Sequence, residues 1–133
     1  MKNKRGAMDK TSKIKPTNDL SLLQYKVTQE GATEPPFSHK GFEKGAKVFV
    51  CVCCGSKLFK IENKFESGSG WPSFSSPYSS EVVTEHSDES YGMIRTEVKC
   101  RKCNAHLGHV FEDGPEPTGL RYCINGVAID GKK

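Results

Sequence analysis

A helical spacing of apolar residues occurs near the start of the chain, over residues 20–30. The apolar positions of this stretch are Leu20, Leu23, Tyr25 and Val27. They form a partly apolar helical face, and Gly31 is suited to end the helix. Asn18 or Asp19 can cap its first turn, because their short polar side chains accept hydrogen bonds from free backbone N–H groups. We therefore predict a short helix over residues 20–30.

Beyond this helix the pattern changes to that of an extended chain. Pro35 and Pro36 prevent a helix from continuing, so we expect residues 32–46 to be extended or irregular. From Lys47 onward, short β-branched or aromatic stretches alternate with glycine, serine and proline. Strands are predicted over residues 47–52, 82–86, 92–99, 109–111 and 122–128. These short strands predict a mainly β fold of antiparallel sheets, and we interpret the serine-rich residues 73–80 as a loop.

Composition and charge indicate one domain preceded by a tail. The chain has 133 residues, of which 35% are hydrophobic, enough for one modest core. Its formal net charge is +4, of which residues 1–17 contribute +5, from six basic residues and one aspartate, so the remaining residues carry −1. We interpret residues 1–17 as a disordered basic tail and residues 18–133 as a single domain. Because that domain is nearly neutral, we expect no binding of nucleic acid, which needs a basic folded surface.

The sequence predicts neither a membrane span nor an export signal. Its longest apolar run, residues 48–54, is far shorter than the roughly 20 residues that a membrane-spanning helix needs. The basic residues at the N-terminus are not followed by the apolar segment of a signal peptide. We therefore expect a cytoplasmic protein, in which six cysteines indicate metal binding or catalysis rather than a disulfide framework.

Four of the cysteines form two Cys-x-x-Cys steps, Cys51 with Cys54 and Cys100 with Cys103. This spacing lets two thiolates of one tight turn reach the same ion, and two such turns give the closed tetrahedral site of structural zinc. A lone step would be as consistent with free buried cysteines or a thioredoxin-like redox pair, but two steps favour one bound Zn²⁺. Cys53 could replace a neighbour as a ligand, although the equal spacing favours Cys51 and Cys54.

The two steps are too far apart for a compact zinc ribbon. Between Cys54 and Cys100 lie 45 residues, against roughly 15–20 in a ribbon. The metal is therefore expected to clamp the ends of a larger sheet. A zinc ribbon that binds nucleic acid or protein is the alternative class, weakened by this spacer and by the nearly neutral domain. A purely structural zinc protein is a third alternative.

Cys123 has the polar neighbours that a reactive thiol needs. In an extended strand, Arg121, Cys123 and Asn125 point to the same side. A nearby cation lowers a thiol pKa and raises the fraction of thiolate; the alternative is a half-buried strand cysteine. His106 and His109 follow the second Cys-x-x-Cys step. Since four cysteines already complete a zinc site, we interpret the histidines as proton donors or hydrogen-bonding groups near Cys123.

The only tryptophan, Trp71, lies in a segment that predicts a loop. Gly68 and Gly70 allow sharp bends before it, and Pro72 fixes the next turn. An indole held on a loop often forms one wall of a binding site for a small apolar group. The alternative is a tryptophan that belongs to the core.

Several motifs, in this order along the chain, resemble those of the B-type methionine sulfoxide reductases. They are the Cys-x-x-Cys-Gly turn of residues 51–55 and the segments 65–74, 91–98, 100–103, 106–115 and 121–125. The resemblance covers about residues 20–130. It implies two antiparallel sheets with short N-terminal helices, and repair of oxidised proteins by reduction of methionine (R)-sulfoxide. We expect the protein to act as a monomer.

The resemblance also implies which residues act. The implied catalytic residues are Cys123, His106, His109 and Asn125, and the implied substrate-binding residues are Trp71, Phe111 and Arg121. Thiolate attack on a sulfoxide sulfur requires that the oxygen be protonated as its bond breaks, which is a task for positioned acids and hydrogen-bond donors. The nucleophile, Cys123, is left as a sulfenic acid when methionine leaves.

One position departs from the pattern of many relatives. They carry a resolving cysteine within the Gly-x-Gly-Trp-Pro segment, where this chain has Ser69. Serine cannot form a disulfide with oxidised Cys123, and Cys53 is badly placed between two zinc ligands. We therefore expect thioredoxin or a small thiol to reduce the sulfenic acid directly.

Overall fold

A computed structural model describes residues 19–133. The predicted tail, residues 1–17, lies outside the described residues. The first element is α1 (Leu22–Glu30), which ends at Gly31 in the left-handed conformation, as the pattern predicts. Its start differs from the prediction, because Ser21 is the N-cap. The Ser21 side chain accepts from the backbone N–H of Gln24, whose side chain accepts from the backbone N–H of Ser21.

Nine strands follow α1 and form two antiparallel sheets, which confirms the predicted mainly β fold. The strands are β1 (Val48–Cys51), β2 (Lys57–Lys60), β3 (Lys64–Phe65), β4 (Ser73–Phe74), β5 (Val83–Asp88), β6 (Arg95–Cys100), β7 (His106–Phe111), β8 (Arg121–Ile124) and β9 (Ile129–Lys132). One sheet has the order β2-β1-β9, and the other has the order β3-β4-β8-β7-β6-β5. The chain leaves β8 for the other sheet through a 3₁₀ turn, Gly126–Ala128.

All five predicted strands occur, but several of their ends differ. The third begins only at Arg95, because the turn Ser90–Gly92 places Tyr91 in the left-handed region with φ 58°. The fourth begins earlier, at His106, and the fifth stops at Ile124, because the 3₁₀ turn Gly126–Ala128 follows. Strands β2, β3, β4 and β9 were not predicted, and β4 lies within the expected loop 73–80. Two of these strands have only two residues each, too short for an alternating pattern.

The core lies between the two sheets and is rich in phenylalanine. Phe59 of β2 stacks on Phe74 of β4 with ring centroids 4.4 Å apart, and Phe49 of β1 contacts Phe74 at 5.3 Å. All three side chains are buried, so the aromatic cluster joins the smaller sheet to the larger one. Helix α1 packs on β7 and on the 3₁₀ turn, with Val27 fully buried. Within residues 19–133, no helix combines the length and apolar character needed to cross a membrane.

Candidate active site

Cys123 lies in the middle of the larger sheet, on β8. It pairs with Ser73 of β4 on one side and with His109 of β7 on the other. Gly108 of β7 approaches it so closely that a Cβ atom at this position would collide with the carbonyl oxygen of Cys123. This close approach requires glycine and sets the spacing of the two strands beneath the thiol.

A cavity of about 230 Å³ opens beside this thiol. It is lined by Thr33, Ser69, Trp71, Arg95, Gly108, His109, Phe111, Arg121, Cys123 and Asn125. The fold thus brings together six of the seven side chains that the sequence singled out for catalysis or substrate binding. His106 is the one that does not line this cavity. Thr33 and Arg95 also line it, and no local pattern had pointed to either.

The Cys123 thiol is half-buried, and burial raises its pKa. Two neighbours oppose this effect: Ser69, whose Oγ lies 4.0 Å from Sγ, and the cation of Arg121. The Arg121 cation does lower the pKa of the Cys123 thiol. Desolvation raises this pKa by more, so the pKa is raised overall, opposite to the prediction. Burial therefore favours the neutral form of this thiol over the thiolate.

Arg121 is held in place by Asp113, an acidic partner to which no sequence pattern had pointed. Its Nε and Nη2 atoms donate to the two carboxylate oxygens of Asp113 at 2.8 and 3.1 Å. The guanidinium also lies 4.5 Å from the ring centroid of Phe111, within the range of a cation–π contact. The ion pair raises the pKa of Arg121 and lowers that of Asp113. Phe111 and Asp113 therefore fix the cation beside the cavity.

His109 is oriented by Asp88, which comes from β5. The two side chains form a hydrogen bond of 2.7 Å between Nε2 and Oδ2. Arg95 donates to the same oxygen at 3.3 Å. The bond to His109 holds the pKa of Asp88 well below its usual range. Asp88 was not predicted, because it precedes His109 by 21 residues and is brought to it only through β6.

His106 forms a second pair of this kind, with Glu97. Its Nδ1 lies 2.6 Å from the Glu97 carboxylate, while its Nε2 is buried without a hydrogen-bond partner. Burial lowers the pKa of His106, against the raising effect of Glu97. The His106 and His109 rings are in contact, with centroids 5.5 Å apart. The predicted catalytic role of His106 stays a prediction.

Trp71 and Asn125 are both anchored by hydrogen bonds. Trp71 lies on a loop, as predicted, and its indole N–H donates to the backbone carbonyl of Glu34 at 2.9 Å. The Asn125 amide accepts from the backbone N–H of Glu34 at 2.9 Å and donates to the carbonyl of Leu107 at 2.9 Å. Asn125 is buried, with only 3% of its surface exposed. Asn125 also lines the cavity beside Cys123.

Ser69 belongs to a cluster of hydroxyl groups facing Cys123. Ser67 donates to the Ser69 hydroxyl at 2.8 Å and is 2.7 Å from the hydroxyl of Ser73. The position where many relatives carry a resolving cysteine is therefore next to the thiol in this chain too, but it holds an oxygen. Cys53 is buried near α1, where Gln29 contacts its sulfur at 3.5 Å.

The remaining four cysteines form a candidate metal centre. The sulfurs of Cys51, Cys54, Cys100 and Cys103 all lie within 4.8 Å of one another. Cys51 and Cys103 are 3.5 Å apart, and Cys54 and Cys100 are 3.6 Å apart. Four sulfurs about 2.3 Å from a central zinc would be about 3.8 Å apart, so the cluster has the size of a zinc tetrahedron. The cluster joins β1 of one sheet to β6 of the other, and Cys53 is outside it.

Together, these features define a class of protein: a two-sheet β fold that carries a half-buried thiol in a cavity of polar and aromatic side chains, with four clustered cysteines that could hold a metal ion. The SelR domain matches residues 20–133. A peptide methionine sulfoxide reductase MsrB of Hahella chejuensis is 54% identical over 111 residues, which cover 83% of this chain and 80% of that protein. The MsrB of Acinetobacter baylyi is 49% identical, covering 86% of this chain and 83% of that protein. The chain belongs to the SelR domain family, that of the B-type methionine sulfoxide reductases.

Proposed function

We propose that this protein is an oxidoreductase that reduces methionine (R)-sulfoxide in oxidised proteins to methionine, with Cys123 as the nucleophile. The observation that carries the proposal is that one cavity is lined by the Cys123 thiol together with an indole, an imidazole and an amide. A polar sulfoxide with an apolar methyl group needs this mixture of donors and aromatic surface. Family membership supports the same reaction.

The first step breaks the sulfur–oxygen bond of the substrate. The Cys123 sulfur attacks the sulfoxide sulfur and forms a sulfur–sulfur bond. The oxygen then moves to Cys123 as that bond breaks, which leaves a sulfenic acid and releases methionine. Atoms balance, because one thiol and one sulfoxide give one sulfenic acid and one thioether. The thiol proton and the oxygen remain together in the product, so the site only has to move the proton between them. Cys123 is oxidised and methionine sulfur is reduced.

The side chains around the thiol have distinct proposed roles. The Asn125 amide donates a hydrogen bond that stabilises the developing charge on the sulfoxide oxygen, and the His109 ring transfers the thiol proton to that oxygen. Trp71 and Phe111 form the apolar side that receives the methyl group, with Arg121 beside the thiol. His106 is proposed to act as a further polar group, because its buried Nε2 has no hydrogen-bond partner and its ring contacts that of His109.

Recycling is proposed to proceed without an internal disulfide. Ser69 has no thiol, and no disulfide joins any cysteines of residues 19–133. We propose that an external dithiol such as thioredoxin, or a small thiol, attacks the sulfenic sulfur of Cys123. Two external thiols then become one disulfide, the oxygen leaves as water, and the Cys123 thiol is restored. Free thiols throughout the described chain fit a reducing compartment, for which we propose the cytoplasm, and we propose a monomer.

The four-cysteine centre is proposed to bind one Zn²⁺ with a structural role. Four thiolate ligands leave no open position, so the ion supplies folding stability rather than chemistry on the substrate. The centre lies where β1 and β6 end, so the ion would fix the two sheets relative to each other.

The test compares the wild-type protein with Cys123→Ser and Trp71→Ala, using R and S epimers of methionine sulfoxide in a peptide with a thiol reductant. We expect reduction of the R epimer by the wild type, no turnover by Cys123→Ser, and a raised KM for Trp71→Ala. Zinc content should stay at one ion per chain in all three. An active Cys123→Ser variant, or an exclusive preference for the S epimer, would contradict the proposal.

A further inference from the structure

Glu34 is a fully buried acidic residue that the proposed reaction does not use. It lies in the irregular segment after α1, and its side chain is 0% exposed although both of its sequence neighbours are exposed. Burial of a carboxylate is unfavourable unless hydrogen bonds replace its hydration. The partners of Glu34 therefore indicate why an acid is needed at this place.

Two backbone amides bind the carboxylate directly after the catalytic strand. Gly126 donates to Oε2 at 2.9 Å and Val127 donates to Oε1 at 3.0 Å. Within residues 19–133, no lysine, arginine or histidine forms an ion pair with Glu34. The carboxylate thus serves as a clamp, which ties the segment after α1 to the turn that follows Cys123.

The backbone of the same residue holds two side chains of the active site. Its N–H donates to Oδ1 of Asn125 at 2.9 Å, and its carbonyl accepts from the indole N–H of Trp71 at 2.9 Å. The bond to Oδ1 fixes which end of the Asn125 amide is the donor, because Nδ2 then faces the carbonyl of Leu107. One residue therefore positions both the hydrogen-bonding amide of Asn125 and the indole of Trp71.

We propose that Glu34 is a positioning residue, whose carboxylate clamp holds its own backbone where it can orient Asn125 and Trp71. Any residue at this position has the same backbone groups, but only a carboxylate of this length accepts from both amides at once. A second contact supports the close fit of this segment. A Cβ atom on Gly126 would collide with the ring of His39, so the segment lies directly against the turn at two points.

The inference rests on the proposed function, and Glu34→Gln tests it with minimal change of shape. In the variant, an NH₂ group replaces one oxygen and opposes a backbone N–H. We expect kcat/KM for methionine (R)-sulfoxide to fall about 10- to 100-fold, the size of effect of one lost charge-assisted hydrogen bond. Loss of Asn125 orientation should lower kcat, and loss of Trp71 orientation should raise KM. Glu62→Gln, at an exposed carboxylate, is the matched control and should change neither.

Two further readouts separate positioning from a general loss of stability. Trp71 is the only tryptophan, so its fluorescence emission reports on the indole alone and should shift in Glu34→Gln but not in Glu62→Gln. In a double-mutant cycle, Glu34→Gln should reduce kcat of the Asn125→Ala protein much less than it reduces kcat of the wild type. Fully additive effects, or wild-type emission and kcat/KM in Glu34→Gln, would overturn the proposal.

These measurements distinguish a variant that fails to fold from a protein that lacks the proposed activity. If Glu34→Gln does not fold, Glu34→Asp takes its place, since it keeps the charge but is too short to reach both amides; the same emission shift and non-additivity are expected. If the wild type reduces no sulfoxide, the proposed function fails, while the Trp71 emission of the Glu34 variants still decides the positioning role.

Discussion

Replacement of Ser69 by cysteine should change how oxidised Cys123 is reduced, from attack by an external thiol to formation of an internal disulfide. The Ser69 hydroxyl lies 4.0 Å from the Cys123 sulfur, and a disulfide bond is about 2.05 Å long, so the introduced thiol must move roughly 2 Å. The loop permits this shift, because Gly68 and Gly70 flank the position with φ of 77° and 94°. We expect Ser69→Cys to form a disulfide with Cys123 after a single turnover.

The thiol introduced by Ser69→Cys should react with the sulfenic acid of Cys123 far faster than an external thiol does. Well-oriented intramolecular reactions reach effective concentrations of about 10⁵ M, so a loop that realises a thousandth of this exceeds an external thiol at about 10 mM by about 10⁴-fold. The introduced thiol should therefore capture the sulfenic acid of Cys123 before any small thiol does. The first turnover should change little, because the nucleophile and the other side chains that line its cavity are the same.

Intact-mass spectrometry after one equivalent of substrate, without reductant, measures the outcome. Wild type should gain about 16 Da as a sulfenic acid that a selective carbon nucleophile traps, whereas Ser69→Cys should lose about 2 Da and give no trapped product. Ser67→Cys is the matched control, since Ser67 contacts Ser69 at 2.8 Å but forms no hydrogen bond with Cys123. A trapped sulfenic acid in Ser69→Cys at the wild-type level would refute the reasoning.

Three other predictions concern the metal, the thiol and the core. Removal of the metal with a chelator should abolish the cooperative thermal transition followed by circular dichroism, because structural zinc contributes roughly 10–16 kcal/mol against a total stability of roughly 5–15 kcal/mol; a metal-free protein that still melts cooperatively would contradict this. Burial favours the neutral thiol and raises the pKa of Cys123, so its alkylation rate should rise with pH to a midpoint above that of a free cysteine. Arg121→Met should move this midpoint higher still, because the opposing cation is lost, and an unchanged midpoint would speak against the assigned cause. Phe59→Ala should lower the free energy of unfolding in urea by about 3–5 kcal/mol, while Phe37→Ala, at a ring that is 77% exposed, should change it little.

Features with short sequence spacing were predictable from the sequence. The two Cys-x-x-Cys steps, the end of α1 at Gly31 and the loop that carries Trp71 all depend on neighbours within a few residues. The grouping of Arg121 with Cys123 follows from the alternation of side chains along a strand. Strand ends were less predictable, because Tyr91 and the turn after Asn125 adopt backbone conformations that the hydrophobic pattern does not reveal.

Partners that are distant in sequence could not be predicted in this way. Asp88 reaches His109 only because β6 pairs with both β5 and β7. Glu34 lies 91 residues before Asn125, and its position between two exposed residues gives no sign that it is buried. Only the pairing of strands and the packing of the segment after α1 bring these groups together.

By itself, the sequence determined the chemistry available to this protein: two pairs of thiols spaced so that they could hold a metal ion, and one further thiol with polar neighbours. The resemblance to a known family added that Ser69 stands where many relatives carry a resolving cysteine. The tertiary structure decided how these groups are tuned. It made burial outweigh the Arg121 cation at Cys123, placed the four-cysteine cluster between two sheets, and used Glu34 to hold Asn125 and Trp71. The physical reason is that residue types and local spacing are fixed by the order of the chain, whereas desolvation and long-range hydrogen bonds depend on which surfaces meet when it folds.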